Sequence, residues 1–246
     1  MFALYTATLR KKAFGKNTMI ILTILNLAVF VFSLDLSRQH PEYSFYHVWL
    51  HLLQVPFMFH HVFVPLFVWG LSTVVMENEL EKYIVIRMKR LQWWVLNKMA
   101  IVITYAAVYV LFIVVFTWLY GNVMRGTPML ATTVTGEWLI GILATLKSIA
   151  VLVFFGFLFL WLRLLTDHQI WALFMTIVFN FVFVWLLGSG WGTSFYFIGL
   201  PADHSHTVGH GMMIFVIYVG WIISISLLIF YVLEKRDLFY RENRSA

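Results

Sequence analysis

The sequence predicts an all-α integral membrane protein with six transmembrane helices and both termini in the cytoplasm. The chain is 62% hydrophobic and 11% charged, whereas soluble domains are roughly 45–50% apolar and about 25% charged. Its apolar residues form six continuous blocks of about 20, the length that a helix needs to cross about 30 Å of hydrocarbon. Of the 17 Lys and Arg residues, 14 fall in segments that this arrangement places on one side. Since basic residues collect in cytoplasmic loops, that side is the inner one.

The elements follow in order along the chain, which we treat as a single domain, 1–246. Residues 2–14 carry an apolar helical face beside basic residues 10–12, which predicts a short amphipathic helix in the inner membrane interface. The six spans are expected at about residues 18–36, 55–75, 99–120, 138–162, 170–187 and 212–233.

The connections between the spans are mostly short. Residues 37–54 and 121–136 are expected outside, and residues 163–169 form a tight inner turn. Residues 188–211 make the longest outer segment, and its first half is too hydrophobic for a free loop. We expect this half to dip back into the outer leaflet, which is allowed only where protein covers its backbone.

Composition excludes several classes of protein. The net charge of +6 belongs to cytoplasmic segments that face anionic lipid, so it does not indicate nucleic-acid binding. The absence of Cys excludes disulfides, thiolate metal sites and Cys nucleophiles. Basic residues 10–16 precede a full-length span with no persuasive cleavage site after it, unlike a cleavable signal peptide. The expected location is the cell membrane, most simply the bacterial cytoplasmic membrane.

Segment 77–98 is the one substantial connection expected on the inner side. Its acidic residues come first and its basic residues follow, an order that suits the dipole of a helix. These residues are Glu77, Glu79 and Glu81, followed by Arg87, Lys89, Arg90 and Lys98. Two interpretations stay open: a helix that projects from the membrane to meet a partner, and a solvated connection anchored by Trp93 and Trp94.

An acidic pair after the second span, a basic residue and a Lys opening the third span resemble a motif of the type-2 ABC transporter permeases. Glu77 and Glu79 match the acidic pair, Lys89 or Arg90 the basic position, and Lys98 the final Lys. A Gly-Thr pair of the family motif is replaced here by Glu-Lys. The interfacial N-terminal helix, six spans and the outer dip between spans five and six are also similar to that family.

The resemblance implies that residues around 77–90 form a coupling helix that docks on a dimer of ATPase subunits. The residues expected to couple the chain to the ATPase are Glu77, Glu79, Glu81, Arg87 and Arg90. No phosphate-binding G-x-x-x-x-G-K-[ST] occurs in the sequence, so a separate subunit must bind ATP and Mg. The chain itself is then no enzyme, and a second permease, identical or homologous, is needed to enclose a path.

Lys147 lies within the fourth predicted span, where a charged side chain costs about 2.5–3.5 kcal/mol. It is expected either to line a cavity that meets the substrate or to pair with Asp35 or Glu137. The predicted substrate path comprises Lys147, His60, His61 and Phe155. For the aromatic residues in general, a lipid-facing surface is the simpler explanation.

Histidines offer a second kind of site. His47 and His51 are one helical turn apart, and His204 and His206 share the last outer segment with His210. Imidazoles at such spacings can bind Zn or Cu. No carboxylate or thiolate is reliably placed beside them, so a solvated loop is favoured for the last group. For His60 and His61, hydrogen bonds between helices are favoured over metal ligation.

The leading function is therefore a permease subunit of an ATP-driven exporter, with a hydrophobic or amphipathic cargo such as a peptide, an antibiotic or a lipid. One alternative is a metal- or haem-handling membrane protein that uses the histidines. Another is an intramembrane serine protease built on Ser148 and a histidine of span two. That last class lacks a G-x-S-G motif in this sequence.

Overall fold

The computed structural model describes residues 16–39, 45–54, 58–75, 91–125, 135–166, 168–186 and 204–245. Every regular element in these ranges is helical, which confirms the predicted all-α class. The helices are α1 Lys16–Gln39, α2 Phe45–Gln54, α3 Phe59–Val75, α4 Leu91–Arg125, α5 Thr135–Thr166, α6 Gln169–Leu186 and α7 His204–Ser245. The predicted interfacial helix, the predicted coupling helix and the predicted outer dip lie outside the described ranges.

Four helices are long and apolar enough to cross a membrane, namely Thr18–Gln39, Trp94–Tyr120, Gly141–Thr166 and Phe215–Lys235. Two shorter apolar helices, Phe59–Val75 and Gln169–Trp185, complete the set. All six fall on blocks that the sequence predicts as spans. The described fold is thus that of a helical membrane protein, and the count of six crossings stays a prediction.

Several helices extend beyond the predicted spans. α4 continues to Arg125, through residues expected to begin an outer loop. α7 begins at His204, inside the segment expected to be an outer connection. The physical reason is that a hydropathy block marks only the part of a helix that fits the hydrocarbon, whereas its hydrogen-bonded turns can continue into the interface.

Helix α5 forms the centre of the bundle. Residues 150–160 are all buried, on every side of the helix, as expected of a helix that is apolar all round. α7 packs against α5 over the longest interface, and α6 and α4 also pack on it. Large apolar side chains such as Ile170 and Trp185 on α6 point outward, where lipid is the natural neighbour.

Glycines allow the closest helix approaches. A Cβ on Gly156 of α5 would lie 2.4 Å from Val102 Cγ1 of α4 and 3.1 Å from Leu71 Cδ2 of α3. A Cβ on Gly141, also in α5, would lie 2.6 Å from the ring of Trp49 in α2. Small residues at such contacts are the usual device for packing helices in membranes. They fix the position of α5 against three neighbours.

Candidate functional site

The first turn of α3 is a π-helix, Phe59–Phe63. In this turn the Val64 N–H bonds to the carbonyl of Phe59, five residues earlier, and not to that of His60. The next residue along the chain is Pro65, which has no N–H to donate. The carbonyl of His60 therefore receives no hydrogen bond from either of these positions in its own helix. Single π-turns of this kind are frequent at functional sites.

Asn180 of α6 compensates for this deficit from across the bundle. Its Nδ2 donates to the His60 carbonyl oxygen at 2.7 Å, and its Oδ1 lies 2.8 Å from Nδ1 of the His60 ring. Since an amide oxygen only accepts, this arrangement assigns the ring proton to Nδ1. Asn180 and His60 are both buried. The imidazole is thus fixed in orientation and tautomer.

A tyrosine holds the same turn from another side. The hydroxyl of Tyr109, on α4, donates to the carbonyl oxygen of Phe63 at 2.9 Å. The Tyr109 ring also packs edge-on against Phe67 at 5.5 Å between centroids. The π-turn is therefore tied to α6 through Asn180 and to α4 through Tyr109.

Two residues of α5 complete the surroundings of His60. The ring of Phe155 meets the imidazole edge to face, with centroids 6.1 Å apart. Lys147 lies two helical turns earlier, is 7% exposed and interacts electrostatically with His60. Within the described part of the chain, no hydrogen bond or ion pair involving the Lys147 ammonium is found. A buried ammonium group thus lies within electrostatic range of a buried, oriented imidazole.

Aromatic side chains from three helices form a cluster that contacts His60 through Phe155. Neighbouring rings are 5.2–6.5 Å apart between centroids, and offset or edge-on pairs at such distances are favourable. The members of this aromatic cluster are Phe154 and Phe155 of α5, Phe179 and Phe183 of α6, and Tyr218 and Trp221 of α7. Together with Lys147 and His60, they form the candidate site.

The sequence-predicted path residues do not all meet. His60, Phe155 and Lys147 share one neighbourhood, whereas His61 is exposed and packs against Phe181 with ring centroids 5.2 Å apart. One residue further along the π-turn is enough to send the second imidazole to the outer surface of the bundle. His61 therefore lies apart from the candidate site.

The partners expected for Lys147 are also not found. Asp35 is exposed and accepts a hydrogen bond from Gln39 Nε2 at 2.9 Å. Glu137 lies ten residues before Lys147 in the same helix, about 15 Å along the axis.

A second polar cluster closes the other end of α3. Lys98 Nζ of α4 and Arg163 Nη1 of α5 both donate to the carbonyl oxygen of Val75, at 3.3 and 3.2 Å. Gln169 Nε2 of α6 donates to the carbonyl oxygen of Ser72 at 3.0 Å. The last carbonyls of a helix have no hydrogen-bond partners within the helix. Cations beside them supply donors and also interact favourably with the negative end of the helix dipole. We call this cluster the α3 junction.

The remaining predicted site residues are placed as follows. The coupling residues Glu77, Glu79, Glu81, Arg87 and Arg90 lie outside the described ranges. His47 and His51 are half-buried on α2. The backbones of His204 and His206 lie in the first turn of α7, and not in the predicted loop. Among the residues that the structure describes, no three His, Asp or Glu side chains gather as a metal site.

Sequence reasoning missed Asn180. It is the single amide in the apolar helix Gln169–Leu186 apart from the terminal Gln, and a polar residue there needs a partner in another helix. Pro65, which removes a donor from the helix carrying two histidines, was the second signal. Together the two residues point to a bond between α3 and α6.

Comparisons of the chain with protein-family models, with curated proteins and with solved structures give no match in any of the three. The fold and the site therefore define a class only: a helical membrane protein with a buried polar site at the centre of its bundle.

Proposed function

We propose that the chain is a permease subunit of an ATP-driven exporter of the type-2 ABC class. In this proposal the segment 77–90 couples the bundle to a separate ATPase dimer. A second permease, identical or homologous, encloses the path with this one. The cargo is hydrophobic or amphipathic.

The α3 junction is the observation that carries the proposal. Segment 77–90 begins two residues after Val75, and Lys98 and Arg163 both donate to the Val75 carbonyl oxygen. A push or pull on that segment would therefore act at once on α3, α4 and α5. Force from an external ATPase needs such a rigid attachment, whereas a merely solvated connection does not.

The sequence supports the same division of labour. It contains no G-x-x-x-x-G-K-[ST] phosphate loop, so ATP and Mg would be bound by the partner. The candidate site lies at the other end of α3 from the junction. Motion of this helix would change the surroundings of His60 and Lys147 when the ATPase acts.

The test begins with purification of the full chain from native membranes in mild detergent. An ATPase with a phosphate loop should copurify in stoichiometric amount and hydrolyse ATP. Since the chain has no Cys, a Ser148→Cys variant then reports on the interior beside Lys147. Its rate of maleimide labelling should change when ATP is added to the complex.

The coupling variant is Glu77→Ala combined with Glu79→Ala. We expect it to keep the ATPase bound and hydrolysing while the ATP-dependent change in labelling is lost. Glu234→Ala is the matched control, because Glu234 is exposed near the end of α7 and should leave the change intact. An unaltered labelling response in the double variant would refute the coupling role, and the absence of any ATPase would refute the proposed function.

A further inference from the structure

We infer that Lys147 recognises the anionic head of an amphipathic molecule, a carboxylate or a phosphate, whose apolar part lies against the aromatic cluster. The identification of this molecule as the transported cargo rests on the proposed function. The binding itself is a property of the chain alone.

The unbalanced charge of Lys147 is the first argument. The side chain is 7% exposed, and no acidic side chain of the described ranges pairs with it. A lone cation at this depth costs about 2.5–3.5 kcal/mol, and membrane proteins reduce that cost with a partner or with water. An anion brought in by a ligand would supply such a partner.

The distribution of acidic residues is the second argument. The chain has 11 Asp and Glu residues, and every one lies at or beyond the end of a predicted span. Lys147, by contrast, is the thirteenth residue of the 32-residue helix α5. No Asp or Glu of the sequence therefore stands in the interior of an apolar block, as Lys147 does. A ligand is then a natural source of the neutralising group.

The surroundings select an amphipathic ligand. His60, which Asn180 holds in place, lies within electrostatic range of Lys147, so a fixed polar side chain adjoins the cation. Phe155 contacts His60 and belongs to the aromatic cluster. A polar head at Lys147 would thus continue directly into an apolar tail on the rings.

The experiment is native mass spectrometry of the detergent-solubilised full chain, without ATPase, titrated with oleate or with oleyl alcohol. The two probes have the same tail and differ in the charge of the head. We expect oleate to bind about tenfold more tightly than the alcohol, as truncating one partner of a buried charge pair costs at least this much. Equal affinities would overturn the inference.

Variants assign the preference to Lys147. Lys147→Met should abolish the preference for oleate and Lys147→Arg should retain it, whereas Lys235→Met, at an exposed site on α7, should leave it unchanged. A preference that persists in Lys147→Met would overturn the assignment. If Lys147→Met does not fold, the two probes are compared on the unaltered protein and on Lys147→Arg. Equal affinities of oleate and oleyl alcohol for both proteins would still overturn the inference.

Competition with phosphatidylglycerol and phosphatidylcholine identifies the source of the anion. Displacement of oleate by phosphatidylglycerol alone would support the anionic site and assign it to bilayer lipid, whereas resistance to both lipids would support a free amphipath. Displacement by phosphatidylcholine to the same extent as by phosphatidylglycerol would overturn charge recognition. The two proposals can fail separately. If no ATPase copurifies with the chain but oleate is still preferred, the exporter is refuted and this site stands. If an ATPase copurifies but the two probes bind equally, the site is refuted and the exporter stands.

Discussion

Asn180 of α6 makes two hydrogen bonds to a single residue of α3, accepting from the His60 ring at 2.8 Å and donating to the His60 carbonyl at 2.7 Å. The second bond exists because the π-turn and Pro65 withdraw two backbone donors from that carbonyl. A local irregularity in one helix is therefore satisfied by the side chain of another. This pair ties the candidate site to the packing of the bundle.

We expect Asn180→Leu to lower the free energy of unfolding by about 1–3 kcal/mol, because it removes a hydrogen-bond donor from the buried carbonyl of His60. A smaller loss, near the average of about 0.6 kcal/mol for hydrogen bonds between membrane helices, would mean that the carbonyl finds another partner in the variant. Equilibrium unfolding in mixed micelles measures the loss. Thr176→Val is the control, since the Thr176 hydroxyl bonds to Ala172 of its own helix and should matter little.

The loss of unfolding free energy caused by Asn180→Leu should be smaller in a Pro65→Ala background. Alanine at position 65 restores an N–H near the His60 carbonyl, so the effect of Asn180→Leu should fall to roughly half or less, as a double-mutant cycle would report. An equal loss in both backgrounds would show that the missing proline N–H is irrelevant to Asn180.

Gly156→Ala should destabilise the bundle by about 1–3 kcal/mol, the usual cost of overpacking. The added methyl group would lie 2.4 Å from Val102 Cγ1. Gly220→Ala is the matched control, because a Cβ at that position would meet no atom within 4 Å apart from the backbone of its own helix and its two chain neighbours, and there Ala should be neutral or stabilising. Thermal unfolding of the two variants side by side checks the contrast, and similar behaviour of both would contradict the close approach of α5 to α4.

The two cations of the α3 junction should behave non-additively. Lys98 and Arg163 share one acceptor, so each can partly replace the other. We expect Lys98→Met and Arg163→Met each to cost about 0.5–1.5 kcal/mol, and the double variant to cost more than the sum. Lys235→Met, at an exposed site over the Tyr231 ring, provides the baseline. Strictly additive losses would argue against a shared carbonyl.

The predicted orientation can be tested by labelling, since the unaltered chain has no Cys and hence no background. Cysteine at position 38 should react with a membrane-impermeant maleimide in intact cells, and cysteine at position 79 only in inverted vesicles. Cysteine in place of Thr117, which is 0% exposed, should react only after denaturation. Labelling of position 79 from the outside would reverse the topology and remove the coupling role.

Two residues of the candidate site, Lys147 and His60, could be predicted from the sequence alone. Lys147 and His60 attract notice because a polar side chain within an apolar block is costly wherever the chain folds. The contact of His60 with Phe155 could not be predicted, because it depends on how α3 and α5 are rotated against each other. The separation of His61 from His60 has a local cause instead, since consecutive residues of a helix point to different faces.

The sequence by itself determined the class of the protein, because blocks of about 20 apolar residues have few stable alternatives to helices in a bilayer. It also determined the asymmetry of basic residues on which the predicted orientation rests. Only the tertiary structure decided which polar groups meet: Asn180 with His60, and Lys98 and Arg163 with Val75. The physical reason is that helix formation depends on neighbours along the chain, whereas partners between helices depend on crossing angles, rotations and glycine contacts that no local pattern contains.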